Sequence, residues 1–132
     1  PDETKILYTA TASAQIPDNL IPAIQGASTQ KQERILKPDH TYVYDIKEDR
    51  NFWINSSPAT LDWFPTSRHL MLVEKNKVTI MEYDGANRTL VYNAPFVDLN
   101  AFPLPSTNKI MILTTISSDP KAPANLYAVS LK

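Results

Sequence analysis

Apolar residues along this chain recur in short runs rich in Val, Ile, Leu and aromatic side chains, bounded by clusters of Pro, Asn, Asp and Ser. Hardly any stretch holds a 3.6-residue period, so the pattern predicts a nearly all-β fold. Ten strands follow from it: Lys5–Ala10, Thr41–Ile46, Asn51–Ile54, Thr60–Phe64, His69–Glu74, Val78–Tyr83, Arg88–Tyr92, Val97–Phe102, Lys109–Ile116 and Asn125–Leu131.

The runs repeat. From Pro1, Pro65 and Pro105 the chain reads PDETKILY, PTSRHLML and PSTNKIMI, the last two copies 40 residues apart. An alternating strand follows each copy: YVYDI at 42–46, TIMEY at 79–83 and YAVSL at 127–131. Stacking the copies puts Tyr42, Tyr44 and Ile46 in register with Thr79, Met81 and Tyr83 and with Tyr127, Val129 and Leu131, on one face of the pleat. A further strand precedes the second and third copies, LDWF at 61–64 and VDLNAF at 97–102, and another closes the first and second, NFWI at 51–54 and TLVY at 89–92.

Four antiparallel strands at a spacing of about 40 residues is the signature of a β-propeller blade. The stretch WFPTSRHLMLVEKNKVTIMEYDGANRTLVY resembles a blade of the TolB-like, WD-repeat-like propellers, although its Pro65-Thr66-Ser67-Arg68 turn lacks the usual glycine. The Pro-rich segment running into YVYDIKEDRNFWI resembles the propeller portion of bacterial PEGA-domain surface proteins. The expected architecture is a partial propeller of about three blades: 1–59 with an insertion at 11–40, a complete blade at 60–96, and a partial blade at 97–132. The first unit lacks its opening strand and the third its closing one, while propellers take about four to eight blades. The expectation is therefore a segment of a larger propeller, or a chain that self-associates to complete one.

Composition narrows the function classes. At 132 residues the chain has room for one domain. A net charge of −1 gives no bulk attraction to nucleic acid or an anionic membrane, and no apolar run approaches the length of a bilayer span. Absence of cysteine removes disulfides and thiolate metal sites. Two glycines leave no phosphate-cradling loop, so most turns must be made by Pro, Asn and Asp.

Candidate chemistry is sparse. His40 and His69 have no second ligand at metal spacing, and there is no Gly-x-Ser-x-Gly elbow, so no catalytic residue, metal site or cofactor is expected. Asp45, Asp49, Asp62 and Asp98 are carboxylates with the option of pairing, Asp62 and Asp98 at equivalent strand positions. Trp53, Trp63, Phe64 and Phe102 are expected to pack between blades. The insertion is the main elaboration, predicted to project from the same end of the blades as the loops 55–59, 93–96 and 117–124. Within it, 28–34 has the start of a short helix, with Thr29 as its cap and Gln32 as the capping-box partner, and with Lys31 and Arg34 placed for an anion. Gln30, Lys31, Arg34, Lys37 and His40 are the candidate binding residues.

These features point to a non-catalytic module presenting a binding surface to protein or cell-envelope polymer. The resemblance implies an extracytoplasmic or cell-surface location. The rival reading is an accessory propeller of a hydrolase or peptidase whose catalytic domain lies outside these residues.

Overall fold

A computed structural model describes residues 3–18, 22, 28–56, 60–105, 107–119 and 121–131. The described residues form strands and turns without a helix. β1 (Lys5–Thr9) is followed by a two-residue ladder, β2 (Ala14–Gln15) with β3 (Ile35–Leu36), and then by β4 (Thr41–Asp45) and β5 (Arg50–Asn55). β1, β4 and β5 make one antiparallel sheet in that order. β6 (Thr60–Trp63), β7 (His69–Glu74), β8 (Lys77–Glu82) and β9 (Thr89–Asn93) make a four-stranded sheet in sequence order. β10 (Ala101–Pro103), β11 (Lys109–Thr114) and β12 (Asn125–Ser130) make a third. Three antiparallel sheets thus follow one another along the chain, none of them closed.

The turns are built as the composition demands. Asp39, Asp49, Asn76, Asn87 and Asp98 all have positive φ, the left-handed region that Asn and Asp tolerate better than other side chains. Ser67, with φ of 59°, does the work of the missing glycine in the turn before β7, where its amide donates to the Phe64 carbonyl at 3.0 Å.

Two expectations need correction here. The strand predicted to begin at Val97 begins at Ala101. Asp98 and Leu99 take φ of 50° and 58°, which no strand tolerates, and the Asn100 amide turns back onto the Val97 carbonyl at 2.9 Å. Asp98 therefore lies in a turn while Asp62 lies inside β6 opposite Met71, so the two are not equivalent. The ladder β2–β3 was hidden from pattern reading because two-residue strands carry no alternation.

The chain divides into two compact units, Pro1–Pro58 with Glu82–Asn87, and Ala59–Met81 with Arg88–Lys132. In the second, Phe64, Met71, Val73, Val78, Ala101, Ile110 and Ile112 form a buried cluster, flanked by Ile80, Val91, Tyr92, Phe96, Tyr127, Val129 and Leu131. One face of the four-stranded sheet and one face of the third sheet supply it, because alternate residues of a strand share a face. In the first unit Tyr42, Val43, Phe52 and Ile54 are buried. Both faces of β4 are covered, since the neighbours Tyr42 and Val43 point opposite ways.

Candidate binding site

The described part of the insertion folds back over one face of the first sheet instead of projecting from its end, the face that carries Ile6 and Tyr8 from β1, Tyr42 and Tyr44 from β4, and Asn51 and Trp53 from β5. The reason is chemical: that face is aromatic and hydrogen-bonding, and the insertion supplies what it lacks. The Lys37 amide donates to the Tyr42 hydroxyl at 3.0 Å. Tyr8 donates to Asn51 Oδ1 at 2.8 Å, Asn51 Nδ2 donates to the Glu33 carbonyl at 2.6 Å, and the Glu33 amide donates to the Asn51 carbonyl at 2.8 Å. Asn51 is thereby wholly buried with its amide group satisfied.

Arg34 locks the cover. Its guanidinium pairs with Asp49 Oδ1 at 3.2 Å and Asp18 Oδ1 at 3.1 Å, and donates to the Pro17 carbonyl at 2.7 Å and to the Asp49 carbonyl. Tyr44 donates to the same Asp49 oxygen at 2.7 Å. Arg34, expected to meet an anion, is thus a structural fork: its side chain is 10% exposed and its donors are engaged within the chain. The predicted helix at 28–34 is also absent, for a related reason. Arg50 donates to the Ser28 carbonyl and, at 3.4 Å, to the Gln30 carbonyl, while Asn51 takes the Glu33 backbone. The groups a helix would pair internally are bonded to the sheet instead.

The arm so held walls a polar pocket of about 380 Å³, lined by Ser28, Thr29, Gln30, Glu48, Glu82, Tyr83, Asp84, Ala86 and Asn87. The floor comes from the tip of the β8–β9 hairpin. Ser28 donates through its hydroxyl to Asp84 Oδ2 at 2.6 Å and through its amide to Glu48 Oε2 at 3.2 Å. Asn87 donates to Glu82 Oε1 at 2.5 Å, and the Ala86 amide to Asp84 Oδ1 at 3.0 Å. Among the described residues three carboxylates and no Lys or Arg line the pocket. Burial, reinforced by the Glu48, Asp45 and Asp84 carboxylates and opposed by Arg50, pushes the Tyr83 phenol up to about 12. The Lys5 ammonium sits 4.6 Å above the Tyr83 ring centre.

A second hollow, of about 470 Å³, is apolar and lined by Ile6, Tyr8, Ile16, Leu36 and Tyr44. Burial raises the Tyr8 and Tyr44 phenols above their ordinary value, and in Tyr44 the bond to Asp49 adds to the shift.

Of the candidate residues, Gln30 alone lines the polar pocket. Lys31 and Lys37 are exposed. His40 lies over Tyr42 and Trp53, ring centres 6.4 and 6.0 Å away, with Nδ1 3.0 Å from the Pro38 carbonyl. Lys31 and Arg34 do not make the expected anion site, since the guanidinium is spent on Asp49. Leu20, Ile21 and Ile24, apolar residues of the insertion, lie outside the described residues. Trp53 and Phe102, predicted between blades, are each 48% exposed, whereas Phe64 is in the core.

Sequence reasoning missed Glu48, Asp49, Arg50 and Asn51 as the ground on which the insertion lands. Their signal was the run Asp45-Ile46-Lys47-Glu48-Asp49, a side-chain-capped turn in which Asp45 Oδ1 accepts from the amides of Lys47 and Glu48 at 2.9 and 3.0 Å. Asp45 and Asp49 do not pair with one another: Asp45 faces Lys5 at 3.7 Å and Asp49 faces Arg34. Among the described residues no group of three or more His, Cys, Asp or Glu is placed to hold a metal ion. Comparison with protein-family models, with curated proteins and with solved structures returned no match for this chain.

Proposed function

We propose that the chain is a non-catalytic module of the β-propeller kind, displayed outside the cell, that offers the pocket under its insertion arm to a protein or cell-envelope polymer. The propeller reading is supported by the order of the sheets, each strand pairing with the neighbour its place in the repeat requires. One observation carries the binding role. The arm is held open as a wall by Arg34, Arg50 and Asn51, so the pocket is preformed and a partner need not meet the cost of ordering it. Its lining accepts hydrogen bonds more readily than it donates them, which suits hydroxyl or ammonium groups and disfavours anions.

The test is an NMR titration of the chain with a chitosan tetramer, which offers both hydroxyls and ammonium groups, against a polyglutamate control. Amide shifts should cluster at Ser28, Gln30, Glu48, Asp84 and Asn87 with chitosan alone. Thr29→Trp, which fills the mouth from an exposed position, should abolish them. Shifts elsewhere, or equal binding of polyglutamate, would refute the assignment.

A further inference from the structure

The first and second sheets both end on a bulged strand. β5 pairs with β4 through Thr41↔Asn55 and Tyr42↔Trp53, which makes Ile54 the extra residue of a bulge. β9 pairs with β8 through Val78↔Tyr92 and Thr79↔Leu90, and there Val91 is the extra residue. Tyr42 and Thr79 hold the same position in the repeat, so the two bulges coincide. Both extra residues are β-branched, Ile54 buried and Val91 partly buried. A bulge bends and twists its strand, which blunts the edge of a sheet against further pairing.

The third sheet ends differently. Tyr127 holds the position of Tyr42 and Thr79, and β12 that of β4 and β8, yet among the described strands β12 pairs with β11 alone and in a regular register. The Leu131 amide donates to the Asn108 carbonyl at 2.7 Å. Bonded pairs alternate along an antiparallel ladder, so Tyr127 and Val129 turn their amides and carbonyls towards β11. Leu126, Ala128 and Ser130 turn theirs outward, and all three residues are exposed. No charge and no proline in Asn125–Ser130 guards that row. The opposite edge of the sheet, β10, is three residues long and ends in Pro103.

We infer that the outer edge of β12 accepts an extended strand of a partner polypeptide, which adds antiparallel to it as β5 adds to β4 and β9 to β8. Those two strands define the occupant. It offers a large apolar residue opposite Tyr127, as Trp53 faces Tyr42 and Leu90 faces Thr79. A β-branched residue follows it in a bulge, as Ile54 and Val91 do. Main-chain hydrogen bonds to Leu126, Ala128 and Ser130 supply the affinity, and the two side chains supply the selectivity. The edge shares no residue with the polar pocket, so it is independent of the function proposed for that pocket.

Amide hydrogen exchange followed by NMR on the full chain tests this. In the free chain the amides of Leu126, Ala128 and Ser130 should exchange faster than those of Tyr127 and Val129. The probe is a free peptide that copies Arg88–Ala94, the β9 segment. At about ten times its Kd it should slow the three outward amides by ~10-fold. A copy of the peptide with Leu90→Pro and Val91→Pro should not slow them, because proline cannot donate to a ladder. In the chain itself, Ala128→Pro removes an outward amide and leaves the bonds to β11 in place, so it should weaken peptide binding by ~10-fold or more. Circular dichroism checks the fold of that variant, and should it misfold, exchange in the unsubstituted chain still decides. Four results would each overturn the proposal. The three amides are not slowed, the proline peptide slows them equally, or a folded Ala128→Pro variant binds the peptide unchanged. The fourth is protection that rises with the chain's own concentration and resists the peptide, which would put a second copy on the edge.

Discussion

Replacing Arg34 by alanine is the sharpest perturbation of the first unit. The substitution leaves the Asp49 carboxylate, whose side chain is 2% exposed, without its guanidinium, and it frees the Pro17 carbonyl at the same stroke. Breaking a buried ion pair from one side costs about 3–5 kcal/mol. The Asp18 arm of the fork adds little, because that carboxylate is 68% exposed and solvent screens it. Against a total stability of about 5–15 kcal/mol the loss is large. At this chain length it corresponds to a fall in Tm of roughly 9–15 °C, taking about 3 °C per kcal/mol. Trp53 reports on the first unit and Trp63 belongs to the second, so fluorescence-detected urea unfolding in a Trp63→Phe background follows the affected unit. Arg34→Lys should recover only part of the loss, since an ammonium cannot bridge Asp49 and the Pro17 carbonyl as the planar fork does. A double-mutant cycle with Asp49→Ala should show coupling above about 1 kcal/mol. A loss below about 1 kcal/mol for Arg34→Ala, the range of a solvent-exposed pair, would refute the reasoning.

Met81 is fully buried, so Met81→Asp should cost several kcal/mol, whereas Glu82→Ala on the opposite face of β8 should cost about 0.5 kcal/mol for one hydrogen bond to Asn87. Equal thermal shifts for the two would contradict the register of the strand. The Tyr83 phenol, raised from 10.0 to about 12 in the folded chain, sets a pH window. Its neutral form is favoured by folding, so its contribution is intact below pH 10.0 and is lost as pH climbs towards about 12. Phenolate absorbance should show a late step that Tyr83→Phe removes and Glu48→Gln moves to lower pH, and an unchanged step in Tyr83→Phe would reassign it.

What could be read from the order of residues was whatever depends on neighbours along the chain. The period-2 runs placed β7 residue for residue and most other strands to within one or two. The scarcity of glycine foretold turns made by Asn and Asp, and Asp39, Asp49, Asn76 and Asn87 make them. The repeat foretold which strands would pair within each sheet, β1 with β4 included, since the insertion between those two leaves their places in the repeat unchanged.

The tertiary structure decided what depends on competition for the same groups. Ser28–Arg34 carries a helix-start pattern, and a helix there would pair its carbonyls with amides further along its own chain. Arg50 and Asn51, about 20 residues away in sequence, take those carbonyls in the folded chain. Arg34 read as a free cation because its carboxylate partner is Asp49, on the turn between β4 and β5, and a charge run does not disclose which of its members is buried. The polar pocket joins residues as far apart as Ser28 and Asn87, so no local pattern encodes it. Strand position is set by short-range periodicity, but the use of a charged or amide side chain is set by which distant partner folding delivers to it, and that is what shapes the polar pocket.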